Sequence, residues 1–320
     1  MPEISFVFPV YNEEKNIHPL YENVKKVCSQ INISYEMIFV DNGSSDLSLH
    51  EVKQLETHDS RVFHLSLSRN FGHQNALFAG MSHASGNAVI TMDADLQHPP
   101  ALVPEMIKKW REGSDVVYTI KRYSNLPILK LIFVKLYYWI ISKISGLKLN
   151  FGQSDFRLID HRVLKVLLHM PEYHKFLRGQ VSWIGFNQVG ISFDVQKRHS
   201  GDTKFSLKNL FSFGLDGILS FSQYPLRLVT FFGFTIAVIS IIYMIYDVLI
   251  PYFLKATNIN PHITIPPGWA TMAVTLFFFG SVQLMSIGIL GEYIGRIFDQ
   301  TKARPNFIVK EQNVPRPKES

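Results

Sequence analysis

Five apolar runs near the start of the chain predict the strands of one sheet. They read ISFVFPV (4–10), YEMIFVD (35–41), RVFHLSL (61–67), NAVITMD (87–93) and DVVYTI (115–120). The runs are apolar throughout, and amphipathic segments lie between them. Such strands, alternating with helical patterns, are typical of a mainly parallel sheet that is covered by helices on both faces. The pattern therefore predicts an open α/β domain.

Polar residues follow four of these runs, where the strands should end. The continuations read PVYNEE, VDNGSSD, LSRNFG and MDADLQ. In open α/β sheets, ligands bind outside the carboxyl ends of the strands. The sequence therefore predicts a binding site at this edge of the sheet.

Two longer apolar stretches lie in the last third of the chain. Residues 228–250 contain one charged residue, Asp247, and residues 269–290 contain none. Each reaches the roughly 20 residues that a helix needs to cross a bilayer. They predict a two-helix transmembrane hairpin, with two buried core helices of a soluble domain as the alternative.

The basic residues around these stretches predict an orientation. Arg227 precedes the first stretch and Arg296, Lys302 and Arg304 follow the second, while only Lys255 lies between them. Loops rich in Lys and Arg stay on the cytoplasmic side. We therefore expect a multi-pass protein of the cell membrane, with the α/β domain and both termini in the cytoplasm.

The segment 126–148 is apolar but is interrupted by four lysines, with aromatic residues in its middle. This pattern favours a helix that lies at the membrane surface, while an ordinary core helix and a third span are the alternatives. Residues 205–227 predict a second helix at the membrane surface.

Composition agrees with a partly membrane-embedded protein. The 320 residues are 47% hydrophobic, and the mean hydropathy is +0.08. The net charge of +6 suits an anionic partner such as lipid headgroups, phosphorylated metabolites or nucleic acid, and charge alone does not choose among them. The single cysteine, Cys28, excludes an internal disulfide.

Two carboxylates, Asp93 and Asp95, follow the fourth apolar run. Residues two apart in an extended strand share a face, so both would point at one ligand if the strand continues that far. Carboxylate oxygens suit Mg²⁺ or Mn²⁺ held with the phosphates of a nucleotide, and Gln97 could add a carbonyl oxygen. The alternative is that Asp95 caps the next helix and Asp93 is solvated.

The first two strand ends carry residues suited to a nucleotide. Tyr11, Asn12 and Glu13 lie in the first turn, and Asp41 ends the second strand. An acidic side chain there can accept from a base or a ribose hydroxyl, and the turn offers backbone N–H groups and an aromatic ring.

Six ordered motifs resemble family 2 glycosyltransferases of the GT-A fold. They are FPVYNEEKNI, EMIFVDNGSSD, LSRNFGHQNALFAG, VITMDADLQHPP, SDFRLIDHRV and FLRGQVSWIGF. With the two apolar stretches, they are most similar to the polyisoprenyl-phosphate glycosyltransferases, the group of bacterial GtrB that is related to dolichol-phosphate mannose synthase.

The resemblance implies roles for individual residues. Asp93 and Asp95 would hold the metal on the donor diphosphate, with Gln97 as a further ligand, and Asp95 and Asp155 would be catalytic. The expected nucleotide contacts are Pro9, Tyr11, Asn12, Glu13, Asp41 and Asp93. Two positions depart from the family pattern, because Asn42 replaces a frequent Asp and His98 stands where Asp or Asn is frequent.

Asp155 matches a family carboxylate that is often assigned as a base, but two other roles are open. It could be a structural partner of Arg157. It could also position the acceptor or a cation, since a phosphate acceptor is already an anionic nucleophile. Catalysis would then depend on charge neutralisation by the metal and on alignment of the acceptor.

The acceptor phosphate requires cations near the membrane surface. The candidates are Arg122, Arg178, Arg198 and Lys204, and each could instead be a solvated surface charge. His73 and His83 lie on a predicted helix with no metal-ligand spacing, and the interpretation is that both are structural.

The expected activity is inverting transfer of a hexose, with UDP-glucose as donor and a polyisoprenyl phosphate as acceptor, at the cytoplasmic face of the membrane. The product would serve later glycosylation. GDP-mannose or another donor is an alternative, as is a non-catalytic membrane-anchored protein that binds nucleotide sugar or lipid. No nucleic-acid partner is expected, and a homo-oligomer is left open.

The same resemblance divides the chain into four parts. Residues 1–125 would bind nucleotide sugar and metal, and residues 126–227 would face the acceptor. Residues 228–298 would form the transmembrane hairpin, and residues 299–320 a cytoplasmic tail.

Overall fold

The computed structural model describes residues 2–122, 152–194, 222, 224–243, 245, 253, 257 and 268–314. The chain divides into two compact units. The first contains Met1–Ser220 and Ala303–Ser320, and the second contains Phe221–Lys302. The first unit is therefore assembled from both ends of the chain.

An eight-stranded sheet forms the centre of the first unit, in the order β7-β5-β6-β4-β1-β2-β3-β8. The pairs β1–β2, β1–β4, β2–β3 and β5–β7 are parallel, whereas β4–β6, β5–β6 and β3–β8 are antiparallel. The strands are β1 (Ile4–Val10), β2 (Tyr35–Asp41), β3 (Val62–Leu67), β4 (Ala88–Thr91), β5 (Val116–Arg122), β6 (Gln153–Asp160), β7 (Gln188–Asp194) and β8 (Val309–Gln312).

The five predicted strands are all present, which confirms the mostly parallel α/β sheet. Every residue of β1 and β2 is buried, as their unbroken apolar sequences require. The fourth strand ends at Thr91, before the two carboxylates, rather than at residue 93. Strands β6, β7 and β8 were not predicted.

Helices cover both faces of the sheet. One apolar cluster joins Phe6, Phe8 and Phe39 to α1, and a second joins Val7 and Val40 to α3. The helices of this unit are α1 (Glu14–Ile31), α2 (Ser48–His58), α3 (His73–His83), α4 (Val103–Arg111), α5 (His161–Leu168) and α6 (Leu177–Ile184).

Gly80 allows α3 to lie close against the sheet. A Cβ atom at this position would lie 2.3 Å from Cγ1 of Val7 and 2.7 Å from Cγ2 of Val40. Such distances are far below van der Waals contact, so a residue with a side chain would force the helix away from β1 and β2. The close approach fixes the distance of α3 from β1 and β2.

The second unit contains helices α7 (Tyr224–Tyr243) and α8 (Trp269–Thr301), which overlap the two long apolar stretches. Large apolar side chains on both are exposed, including Phe231, Phe234, Leu276 and Leu284. Among the described residues, no helix combines the length and the apolar character needed to cross a membrane. The transmembrane hairpin is therefore not confirmed by the structure.

Several predictions fall outside the described residues. The segment 126–148 does so entirely, as do Arg198 and Lys204. Of the second surface helix, 205–227, only Ser222 and the first turn of α7 are described.

Candidate active site

Asn12 joins the turns that follow β1 and β2. It has a left-handed backbone conformation, with φ of 57°. Its backbone N–H donates to Oγ of Ser44 over 3.1 Å, and its Oδ1 accepts from the N–H of Ser45 over 2.8 Å. The N–H of Glu13 donates to Oγ of Ser48 over 2.9 Å. Asn12 and Glu13, two of the predicted nucleotide contacts, therefore connect the two turns by hydrogen bonds.

Asp41 is buried at the end of β2, and both of its oxygens accept hydrogen bonds. Oδ1 accepts from the N–H of Ser44 and Oδ2 from the hydroxyl of Ser66, each over 2.9 Å. Of the remaining predicted contacts, Pro9 is buried within β1, and Tyr11 is exposed beside the turns.

Asn42 has a local structural role. Its Oδ1 accepts from the N–H of Phe71 over 2.9 Å, and its Nδ2 donates to Oδ1 of Asn70 over 3.0 Å. The side chain thereby anchors the loop that leads from β3 into α3. An Asp at this position could not donate the hydrogen bond that Oδ1 of Asn70 accepts.

Asp93 and Asp95 lie in a turn rather than on an extended strand. The strand ends at Thr91, and Leu96 in this turn has a φ of 62°. The argument that both side chains share one strand face is therefore wrong. Asp95 also caps no helix, because its Oδ1 accepts from the N–H of Gln97 over 3.1 Å and the next helical turn begins only at Pro100.

His98 holds this turn against β6. Its Nδ1 accepts from the N–H of Asp93 over 3.1 Å, so the ring proton is on Nε2, which donates to Oγ of Ser154 over 2.7 Å. The ring stacks on Phe156 with centroids 5.2 Å apart. Burial lowers the pKa of His98, in agreement with a neutral ring. With both nitrogens engaged, His98 is unsuited to bind a metal.

Asp155 lies on β6 beside the turn and is saturated with hydrogen bonds. Arg178 donates two hydrogen bonds to this carboxylate, from Nε to Oδ1 over 2.9 Å and from Nη2 to Oδ2 over 2.7 Å. Gln74 Nε2 donates to Oδ2 over 3.2 Å, and Arg157 Nη2 donates to Oδ1 over 3.3 Å.

Burial by itself would raise the pKa of the Asp155 carboxyl. The charge and hydrogen bonds of Arg178, with His73 and Arg157, hold that pKa well below its usual range.

His73 lies between the two acidic positions. Its Nε2 is 3.3 Å from Oδ1 of Asp93 and 3.7 Å from Oδ2 of Asp155. Burial lowers the pKa of His73, but the two carboxylates outweigh it and raise that pKa.

His73 therefore lies next to two predicted site residues, a position that the sequence analysis did not predict, whereas His83 contacts the carbonyl of Ala79 and lies near Phe307, at the far end of α3. In the sequence, His73 directly follows the loop after β3, at the predicted binding edge of the sheet, and this position could have indicated that His73 belongs to the site.

Comparison with known proteins identifies the family. The model of glycosyl transferase family 2 matches residues 5–167. The chain belongs to glycosyl transferase family 2. This confirms the resemblance seen in the sequence, and the α/β architecture is that of the GT-A fold.

Relatives of this family 2 glycosyl transferase match nearly its whole length. A glycosyltransferase of uncharacterized activity from Synechocystis is 38% identical over 310 residues, which cover 97% of this chain and 95% of the relative. The bactoprenol glucosyl transferase of Shigella phage SfV is 37% identical over 314 residues, covering 97% and 99%. A prophage bactoprenol glucosyl transferase homolog of Escherichia coli K12 is 37% identical, covering 96% and 98%.

One solved structure that the chain matches is glucosyl-3-phosphoglycerate synthase from Mycobacterium tuberculosis in complex with Mn²⁺, UDP and glucosyl-3-phosphoglycerate. It is 16% identical, covers 68% of this chain and 78% of its own, and superimposes with a TM-score of 0.46.

One observation in this family 2 glycosyl transferase fits a bound divalent cation. Oδ1 of Asp93 is buried and accepts no hydrogen bond from any described residue, although His73 Nε2 lies nearby. A buried carboxylate oxygen without a donor is a ligand that Mg²⁺ or Mn²⁺ can use. Within the described ranges, no three His, Cys, Asp or Glu side chains form a metal-binding group on their own.

The two described candidates for the acceptor phosphate differ in position. Arg178 enters the site through Asp155, and about a third of its side chain, 35%, is exposed. Arg122 is exposed at the last position of β5, opposite Asp194 of β7. His73 therefore connects Asp93 to Asp155, and Asp155 connects to Arg178, whereas Arg122 lies at the end of β5.

Proposed function

We propose that this glycosyl transferase moves glucose from UDP-glucose to a polyisoprenyl phosphate, with inversion at the anomeric carbon. The observation that carries the proposal is the cluster of Asp93, His73, Asp155 and Arg178. In this cluster a buried oxygen of Asp93 accepts no hydrogen bond, and Asp155 holds a partly exposed arginine, which suits a metal-bound donor and an anionic acceptor. The near full-length bactoprenol glucosyl transferases among the relatives support glucose and a lipid carrier.

The donor would bind along the ends of β1, β2 and β4. Asp93 and Asp95 would hold Mg²⁺ or Mn²⁺, with the carbonyl oxygen of Gln97 as a further ligand. When bound, the metal would neutralise charge on the departing nucleoside diphosphate. Asn12, Glu13 and Tyr11 line the joined turns and would contact the nucleotide, together with the backbone around Pro9 and Asp41.

Asp155 would act as a positioning residue rather than a base. A carboxylate with this many donors and a strongly lowered pKa is a poor proton acceptor near neutral pH. The acceptor phosphate is anionic already and needs little activation. Arg178, held by Asp155 and partly exposed, would contribute its positive charge to binding of the phosphate and help to align the attacking oxygen.

We also propose that the protein is anchored in the cell membrane, with the transferase unit and both termini in the cytoplasm. The apolar stretches 228–250 and 269–290 and the distribution of Lys and Arg support this proposal. The exposed apolar side chains of α7 and α8 agree with an apolar surrounding. A lipid acceptor would then meet the site at the membrane surface.

The test is a donor panel with purified protein, polyprenyl phosphate, Mn²⁺ and labelled nucleotide sugars. We expect glycolipid from UDP-glucose and little from GDP-mannose. Asp95→Asn should lose nearly all transfer while its circular dichroism spectrum stays unchanged, because one metal ligand is lost.

Each alternative has its own outcome in this assay. Product from GDP-mannose in place of UDP-glucose would reject the donor. Absence of product from every donor would favour a binding role. An undiminished rate in excess EDTA would exclude the metal.

A further inference from the structure

Helix α6 begins without a cap of its own. Its N-cap residue is Phe176, whose side chain forms no capping hydrogen bond. The first backbone N–H groups of a helix have no partner inside the helix and need one elsewhere. Here the N–H of Leu177 donates to Oε1 of Gln74 over 3.1 Å. A residue from α3, more than 100 positions earlier in the chain, therefore supplies the missing acceptor.

The other half of the same amide is also engaged. Nε2 of Gln74 donates to Oδ2 of Asp155 over 3.2 Å. The N–H of Leu177 requires an oxygen and the Asp155 carboxylate requires a donor, so the amide fits in one orientation only. Gln74 therefore connects α3, β6 and the first residue of α6 through a single side chain.

Arg178 is the residue that this connection affects most directly. It follows Leu177 in the chain, and its guanidinium binds the same carboxylate that Gln74 contacts. Gln74 thus acts on Arg178 twice, through the backbone at the start of α6 and through the orientation of Asp155. The close packing of Gly80 on Val7 and Val40 holds α3 in place, so the helix that carries Gln74 is itself fixed against the sheet.

We propose that Gln74 is a positioning residue that sets the placement of Arg178 for the acceptor phosphate. The proposal rests on the proposed function for the identity of the acceptor. Alignment of the acceptor is sensitive to small displacements, because a shift of about 1 Å can cost about a hundredfold in rate. Loss of the amide should therefore impair use of the acceptor and leave the donor side intact.

Two substitutions distinguish the hydrogen bond of Gln74 to Leu177 from its hydrogen bond to Asp155. Gln74→Met keeps the length of the side chain and removes both hydrogen bonds. Gln74→Glu keeps an acceptor for Leu177 but places a second carboxylate against Asp155. Gln54→Met, at an exposed position of α2 outside the site, is the matched control.

We expect Gln74→Met and Gln74→Glu to raise the KM for the polyprenyl phosphate about tenfold or more. The affinity for UDP with Mn²⁺, measured by calorimetry, should stay within about twofold of the wild type. Gln54→Met should change neither quantity. Equal losses in acceptor KM and UDP affinity, or an unchanged acceptor KM, would overturn the proposal.

A second measurement does not depend on glycosyl transfer. Phenylglyoxal modifies accessible guanidinium groups, and the rate at Arg178 can be followed by peptide mass spectrometry. Release of Arg178 from its fixed position should raise that rate several-fold in Gln74→Met and leave it unchanged in Gln54→Met. If the wild type transfers no sugar, the proposed function fails and this rate still tests the positioning. An unchanged rate in Gln74→Met would reject the positioning itself.

Discussion

At the scale of single residues, His98 determines how the acidic turn after β4 is held. Its two nitrogens connect the backbone of Asp93 to the side chain of Ser154, and the ring lies against Phe156. The resemblance to the family marked this position only as one where Asp or Asn is frequent. The structure instead assigns the imidazole to the buried side of the turn, where it fixes the backbone that carries the carboxylates.

Substitution of His98 tests this role. His98→Phe keeps an aromatic ring against Phe156 but removes the acceptor for the N–H of Asp93 and one of the two donors to the hydroxyl of Ser154. An unsatisfied buried group such as this N–H costs about 1–3 kcal/mol. We expect the free energy of unfolding, measured with denaturant, to fall by that order and the affinity for UDP with Mn²⁺ to weaken.

His50→Phe, at an exposed position of α2, is the control and should change stability by less than about 0.5 kcal/mol. Equal effects of the two substitutions would show that the hydrogen bonds of His98 contribute little.

The acidic residues of the site were predictable from the sequence, but their partners were not. Asp93, Asp95 and Asp41 follow apolar runs, and the rule for ligand sites in open sheets locates them. His73, Gln74 and Arg178 meet Asp155 only because β6 lies next to β4, and no local pattern around residue 73 encodes a contact with residue 155. Such contacts depend on the order of strands in the sheet.

At the scale of elements, apolar continuity predicted β1 to β5 and missed the strands that lack it. Strand β6 reads QSDFRLID and buries Gln153, Ser154, Asp155 and Arg157. Because more than half of its residues are polar, the sequence does not indicate that this strand is buried. Strand β8 reads VKEQ at the edge of the sheet, where charged side chains reach solvent. A strand that buries polar site residues, or one that lies at an exposed edge, therefore escapes a pattern based on apolar runs.

The packing of α3 gives a prediction at this scale. Gly80→Ala would place a methyl group against Val7 and Val40, whose branched side chains have little rotational freedom. We expect a loss of about 1–3 kcal/mol in unfolding free energy, because the core is overpacked. Transfer should also fall, since the helix carries His73 and Gln74.

Gly288→Ala in α8 is the control, because an added Cβ there meets no described atom within 4 Å. In a helix interior this change should be neutral or stabilising by up to about 1 kcal/mol. Greater stability of Gly80→Ala than of the wild type would contradict the close approach of α3.

At the scale of the whole molecule, the proposed membrane topology can be tested by thiol labelling. In a Cys28→Ser background, Thr257→Cys lies at an exposed position between α7 and α8. If the segment between the helices faces away from the cytoplasm, an impermeant thiol reagent should label it in intact cells.

Ser29→Cys, at an exposed position of α1, is the matched control and should be labelled only after lysis. Labelling of Thr257→Cys only after lysis would contradict the proposed orientation.

Strand β8 gives the protein a late step in its biosynthesis. The sheet takes seven strands from before Ser220, and the eighth arrives only after α7 and α8 have been translated. Until then, the edge of β3 that will receive Val309–Gln312 presents unpaired N–H and C=O groups, which are a template for association with other chains. This edge therefore stays unpaired while the second unit, Phe221–Lys302, roughly a quarter of the sequence, is being made. A chain that stops before Val309 would therefore contain the other seven strands but leave the edge of β3 open to pairing with other chains.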